Sequence, residues 1–569
     1  MTVETAIGER SQSAEILRNF NRAIPVFIWI SPLLAGLLSL HMGKSMAWDL
    51  LHYHYYNGYA FLTNRLNFDI LPAVFHTFLN PALDIAFYAA VETLPPRAVG
   101  FALGTIHGIN IILLFQCARL VLTRWELGWG VAGRLSGGLN GQQVPDLLPA
   151  FLAVTGFGTA AAMGTLGSWH HDLIASLFFL GALLVLLRTE GRLTLRRAAA
   201  AGLVVGIGLG LKLTLAPFAA AIVAAPLAVS MPFRDRLAAC VAAGLGVGVG
   251  LLASGGFWMA RMYAEFGNPF FPFFNRLFGS PFADAGDGHD LSFLPGSLWE
   301  YLIYPVIFSF DGNRISEAPW RDFRLLAAFA MALCLAGIVL GNRLAGRRGA
   351  VEMRLAGSAT GSAAGSVNAR MVLWTALLGY AGWLVLFSIY RYAVPLEMLT
   401  PLLLCIMLVI LAGPRIGVAA TVAGCLFLVA ATQKADFARS DWGSEPFVGA
   451  EVPAAYQGLR GAVILMAGRS ADAHFIPAFD PSNRFVRLDG FRYVYRAEDP
   501  FARQAASVVA GHSGPVLAMF RRDRRGQGAE DAFRAFGFVI DDPSCATLES
   551  TVRPPEPTFL CRLKRLPAP

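Results

Sequence analysis

Charge is scarce in this chain. Only 15% of its 569 residues are Asp, Glu, Lys or Arg, against 55% hydrophobic residues, and the mean hydropathy is +0.53. That balance excludes an ordinary soluble enzyme of this length. Because the apolar stretches recur at spanning length, it defines a multi-pass membrane protein. Familiar motifs are scarce too. No Gly-Lys-Thr phosphate loop occurs and no His/Cys spacing of a closed zinc site, so a metal is a minor possibility and no cofactor is firmly implied. Ionisable residues near mid-span and repeated halves, the marks of many transporters, are not read either.

Apolar stretches near 23–42, 98–118, 147–166, 173–187, 198–215, 217–231, 238–260, 323–341, 371–389, 394–412 and 416–432 predict about eleven crossings in an all-α bundle. The first is long for a signal-peptide core and has no small-residue cleavage site, so it is expected to be retained, after an inner segment 1–22. Arginines then fall on one side: Arg119, Arg124 and Arg134; Arg188, Arg192, Arg196 and Arg197; Arg234 and Arg236; Arg343, Arg347, Arg348, Arg354 and Arg370. This bias puts the N-terminus in the cytoplasm and explains the net charge of +8 without nucleic acid. The Gly, Ala and Ser-rich stretch 356–367 reads as a flexible inner loop. Residues 70–94, broken by Pro72, Pro81 and Asp84, are expected to form interfacial helices, not a twelfth span.

The bundle is thus expected over 23–432, with outer loops 43–97 and 263–322, and an odd number of spans leaves 433–569 outside. There, short apolar runs at 462–468, 485–488, 515–520 and 536–540, interleaved with helical stretches such as 530–536, predict a small α/β domain. Five of the seven cysteines lie in or beside apolar spans. Cys545 and Cys561 flank a predicted hairpin, a plausible disulfide that needs an oxidising compartment.

The outer side holds nearly all of the unusual polar residues. In Trp48-Asp-Leu-Leu-His-Tyr-His-Tyr-Tyr-Asn-Gly-Tyr59, a helix would put Asp49, His52, Tyr53 and Tyr56 on one face, with His54 beside them. The bland alternatives are an interfacial aromatic belt and Asp49 as an N-cap. His170-His171-Asp172 lies on the same side and begins the next span, or His171 and Asp172 join a divalent-metal site with His52 or His54. Lys212 in a Gly-Leu-Gly-Leu-Lys-Leu-Thr run must snorkel or meet an anion. Gly202, Gly206 and Gly210 recur as a helix-packing face. Arg391, flanked by Tyr390 and Tyr392, suits a phosphate oxygen or a pair with Glu397. Glu317 and Asp322 precede a span, and the Pro-broken aromatic run 267–275 is expected to lie against the membrane.

This order of features resembles the GT-C superfamily of integral-membrane glycosyltransferases: a first span, an outer loop opening with Asp49, a second acidic cluster on the same side, the turn Arg391-Tyr-Ala-Val-Pro395, and an outer C-terminal domain. The stretch from Asp49 to Asp69 is most similar to bacterial polyprenyl-phosphomannose-dependent mannosyltransferases. The resemblance implies the plasma membrane, a periplasmic tail domain, a polyprenyl-phosphate sugar as donor, and a glycan, lipid or protein acceptor. It makes Asp49 the catalytic base and Arg391 a phosphate contact. His52, Tyr53, His54, Tyr56, His171, Asp172, Lys212, Glu317 and Tyr392 are then candidate substrate-binding residues. No Asp-x-Asp or Trp-Trp-Asp occurs, a departure from the metal-dependent oligosaccharyltransferases. A flippase of lipid-linked glycans and a noncatalytic cell-envelope assembly protein are the alternative readings.

Overall fold

The long apolar helices set the architecture. The computed structural model describes residues 3–124, 146–189, 193–284, 290–346, 349, 351, 363–443, 446–490, 493–494, 498–521, 528–541, 545–552 and 557–567. Arg134, Arg192, Arg347, Arg348, Arg354 and most of the stretch 356–367 lie outside these. Among the described residues, seven helices have the length and hydropathy to cross a bilayer: Ala23–Met42, Pro96–Leu122, Phe233–Phe266, Arg324–Leu344, Val367–Leu386, Tyr390–Ala412 and Pro414–Ala431. Their outward faces are apolar, with Val241, Leu245 and Leu252 exposed by 56%, 68% and 60%. Such a surface suits acyl chains and not water.

The other four expected spans fall on shorter elements. The stretch 147–166 is broken into Leu147–Phe157 and Ala160–Thr165, because Thr159 caps the second piece by accepting from the Ala162 amide. Asp172–Leu187 has 16 residues and Leu195–Leu211 has 17. Pro217 begins Ala216–Ala224 and Pro226 ends it by turning the chain into a 3-10 segment. The glycine face is real packing: a methyl group at Gly202 would lie 1.9 Å from the Ala243 carbonyl oxygen, and one at Gly206 would lie 2.4 Å from that of Val247. Only hydrogen side chains let helix Leu195–Leu211 approach Phe233–Phe266 this closely.

The tail carries a seven-stranded sheet among the described residues, built from β1 (Ala450–Glu451), β2 (Val463–Ala467), β3 (Arg484–Arg487), β4 (Val516–Arg521), β5 (Phe538–Ile540), β6 (Ala546–Ser550) and β7 (Thr558–Arg565). The order is β1-β6-β7-β4-β2-β3, with β5 also on β7; β2 runs parallel to β3 and β4, and β7 antiparallel to its neighbours. Helices Pro500–Ala510 and Gly528–Ala535 complete an α/β domain, and a disulfide joins Cys545 to Cys561 across the β6–β7 hairpin.

This domain is not a separate module hung on the bundle. Ile70 pairs in parallel with Val486 beside β3, so the first outer segment continues the sheet. Tyr53, Tyr56 and Tyr59 share a core with Ile464, Met466 and Leu517, while Phe78, Trp258, Phe266 and Phe271 share another with Phe501 and Phe520. The aromatic run 267–275 is therefore divided. Phe271 is buried in that joint core and Phe274 is half exposed. Within 70–94 the ordered pieces are Val74–Phe78 and Ala82–Thr93, the longer of 12 residues. Both are too short to span.

Candidate functional site

The first outer segment does not run as one α-helix. Leu50–His54 is a π-helical turn, closed by the Tyr55 amide on the Leu50 carbonyl, and Tyr55–Leu62 continues as α-helix. A π turn takes an extra residue per turn and occurs often at functional sites. The expected shared face of Asp49, His52, Tyr53 and Tyr56 is thereby broken up.

Asp49 lies at the start of this turn, but its carboxylate makes no capping bond. It instead accepts from Nη1 of Arg391 in a short ion pair, so Arg391 does not pair with Glu397. Burial by itself would raise the Asp49 carboxyl, but the charges and hydrogen bond around it, those of the Arg391 guanidinium foremost, together outweigh it and hold the group well below the usual carboxylate range. Arg391 also lies 5.4 Å from the centre of the Tyr392 ring, and Lys212 lies 5.3 Å from the same ring. Lys212 does not snorkel. Its Nζ donates to Asp172 Oδ1 at 2.5 Å and to the His170 carbonyl at 2.6 Å. Two carboxylates and two basic side chains from four distant stretches of chain thus gather at one phenol ring.

A third carboxylate adjoins them. Asp84 Oδ1 lies 2.7 Å from His54 Nδ1 and 3.2 Å from His171 Nε2, and it accepts from the Trp169 indole at 2.9 Å. All three members are buried. Burial pushes the Asp84 carboxyl up, and it pushes His171 down to about 3 and His54 well below the ordinary imidazole range. His171 has φ of 62°, a left-handed conformation that costs a residue with a Cβ about 1–3 kcal/mol. Asp84 appeared in the sequence only as a breaker of an apolar stretch. Nothing in its neighbours signals that two histidines converge on it.

The remaining candidates divide. Tyr53 is buried between His76, stacked at 4.9 Å between ring centres, and His54 at 4.0 Å, in the same cluster. His52 stacks on Trp48 at 4.0 Å and meets His76 edge-on at 5.3 Å. Tyr56 is committed elsewhere: its hydroxyl donates to Asp69, which Arg65 grips with Nε at 2.7 Å and Nη2 at 2.8 Å. The Phe485 amide also donates to Asp69, and Arg65 donates to the Asn483 carbonyl. That unit fastens the first outer segment to the sheet. Glu317 is exposed at the rim, near enough to Arg391 to act on its charge.

Four polar atoms in the cluster are buried with no hydrogen-bond partner among the described residues: His54 Nε2, His171 Nε2, whose contact to Asp84 is only an ion-pair distance, Asp172 Oδ2 and Arg391 Nε. Buried polar atoms are normally satisfied, so these mark places where water or a polar ligand belongs. The cluster can hold an anion between Arg391 and Lys212, with Asp49 in place to take a proton once its partner is drawn away.

No protein-family model, no characterised protein and no solved structure matches this chain. The fold and the site therefore stand on their own geometry.

Proposed function

We propose that the protein is an inverting membrane glycosyltransferase that moves a sugar, a hexose such as mannose, from polyprenyl phosphate to an acceptor outside the cytoplasm. The observation that carries this reading is the meeting of Asp49, Arg391, Lys212 and Asp172 around the Tyr392 ring. A sugar on polyprenyl phosphate already has a good leaving group, so the site needs one base and a cradle for phosphate, not the two carboxylates of a glycosidase. The acceptor hydroxyl oxygen attacks the anomeric carbon and its proton passes to the Asp49 carboxylate. The bond from that carbon to the phosphate oxygen breaks with its electron pair on the departing phosphate, which Arg391 and Lys212 stabilise.

The ion pair adds an order to these steps. Held by Arg391, Asp49 is a weak base. Donor phosphate competes for the guanidinium, and as Arg391 shifts to it the carboxylate becomes more basic. Donor binding thus arms the base.

In this reading the chain makes eleven crossings of a bacterial plasma membrane, the four shorter helices included, with the N-terminus cytoplasmic and the tail periplasmic. The disulfide supports that compartment. The test is to incubate the purified protein with a panel of polyprenyl-phosphate hexoses and pentoses plus membrane extract as acceptor, and to follow free polyprenyl phosphate by mass spectrometry. Release from one donor that falls about 10²–10⁴-fold in Asp49→Asn is expected. Equal release by a folded Asp49→Asn protein would refute the assignment of the base, and no release from any donor would refute the donor class.

A further inference from the structure

We infer that His54, Asp84 and His171 form a binding site for one divalent transition-metal ion of the zinc class. Each offers one ligand atom, and the three atoms lie within 4.8 Å of one another in a buried setting. Two imidazole nitrogens and one carboxylate oxygen are the donor set of zinc sites that leave a position open, and they disfavour Mg²⁺ or Ca²⁺, which take mostly oxygen. The three come from separate pieces of chain: the end of the π turn, helix Ala82–Thr93, and the residue before helix Asp172–Leu187. Their convergence is a product of the fold, not of local sequence.

Charge balance points the same way. Of the three carboxylates gathered here, Asp49 is paired with Arg391 and Asp172 with Lys212, while the ion-pair partners of Asp84 are both imidazoles. An ionised carboxylate without a permanent cation is costly in a buried site, and a divalent ion bound by neutral imidazoles supplies the missing charge. The Trp169 indole on Asp84 Oδ1 is the kind of outer contact that orients a metal-binding carboxylate. The left-handed backbone at His171 is a further local cost that a ligand role accounts for. The alternative is a plain hydrogen-bonded His–Asp–His triad, and it makes a different prediction.

The test uses the full chain in detergent and does not depend on the transfer reaction. After chelator treatment and exposure to Zn²⁺ followed by desalting, wild type is expected to retain about one zinc per chain by elemental analysis. His171→Ala and Asp84→Ala should retain less than a tenth of that, and His52→Ala should match wild type. Co²⁺ in place of Zn²⁺ should give the visible absorption of a low-coordinate nitrogen and oxygen site, absent from His171→Ala. Because Asp84→Ala can fail to fold, the melting temperature of chelated wild type is measured with and without added Zn²⁺, and a rise is expected. Zinc retained equally by His171→Ala, or a wild type that holds no zinc and melts at the same temperature with and without it, would overturn the site and leave the hydrogen-bonded triad.

Discussion

Two of the buried networks of carboxylate and arginine in this molecule are built differently. In one, Asp322 accepts from the Ala160 amide and from Arg324, Arg324 reaches Thr432 and the Gly158 carbonyl, and Glu397 accepts from Tyr390 and the Ala161 amide. Among the described residues, none of these four ionisable side chains has a buried polar atom without a partner, and Trp320 stacks on Tyr390 at 3.4 Å. The network ties the start of Ala160–Thr165 to the ends of the helices around it. In the other, around Asp49, Arg391, Lys212, Asp172, Asp84, His54 and His171, four buried polar atoms lack hydrogen-bond partners among the described residues. Residue type does not separate the two. Satisfaction does: a closed network holds the fold, and an open one retains capacity for a ligand.

Substitutions should divide along that line. The largest effect belongs to the open network, where Asp49→Asn is expected to lower transfer about 10²–10⁴-fold while a thermal melt shows protein that is still folded. Arg324→Met tests the closed network. It strands the Asp322 charge and should cost about 3–5 kcal/mol in denaturant unfolding, because removing one partner leaves the other buried and uncompensated. If Arg324→Met lowered transfer with no loss of stability, the division would be wrong.

Acid probes the seam between the tail and the bundle. His474 is fully buried in the tail, and burial pushes its imidazole down to about 4. Its folded value lies below the unfolded value near 6.5, so the stability that depends on neutral His474 is complete above about pH 6.5 and is lost as pH falls toward 4. A loss of up to ~3 kcal/mol across that window is expected, and His474→Gln should flatten the curve. The smallest effect is assigned to Tyr56→Phe. Removing its hydroxyl from Asp69 should cost about 1 kcal/mol of stability and leave the affinity for donor unchanged, since Tyr56 belongs to the fastening and not to the open cluster. A change in apparent donor affinity in that variant would move Tyr56 back into the site.

How much could be read in advance depended on how local the cause was. Asp49, Lys212 and Arg391 were conspicuous because a charge beside or within an apolar stretch is costly, and that cost is visible in the linear order of residues. Asp84 was not, since its partners lie 30 and 87 residues away. Helical periodicity pointed to one face for Asp49 and Tyr56, and a single π turn redirected them. Arg65 and Asp69 form an i,i+4 pair visible in any helical reading, yet its purpose, gripping the Asn483 and Phe485 backbone, exists only once the tail has folded.

By itself the sequence determined what composition and short-range pattern control: a helical membrane bundle, an α/β tail, the glycine face of one helix pair and a concentration of polar residues toward one end of the chain's apolar segments. Tertiary structure decided the partners. Which carboxylate meets which cation depends on distances between segments hundreds of residues apart, as with Asp49 and Arg391, and no local preference encodes that separation. The same holds for spanning. Hydropathy counts apolar residues, but whether they form one long helix or two short ones is settled by caps and prolines that act only in the folded backbone, as at Thr159 and Pro226.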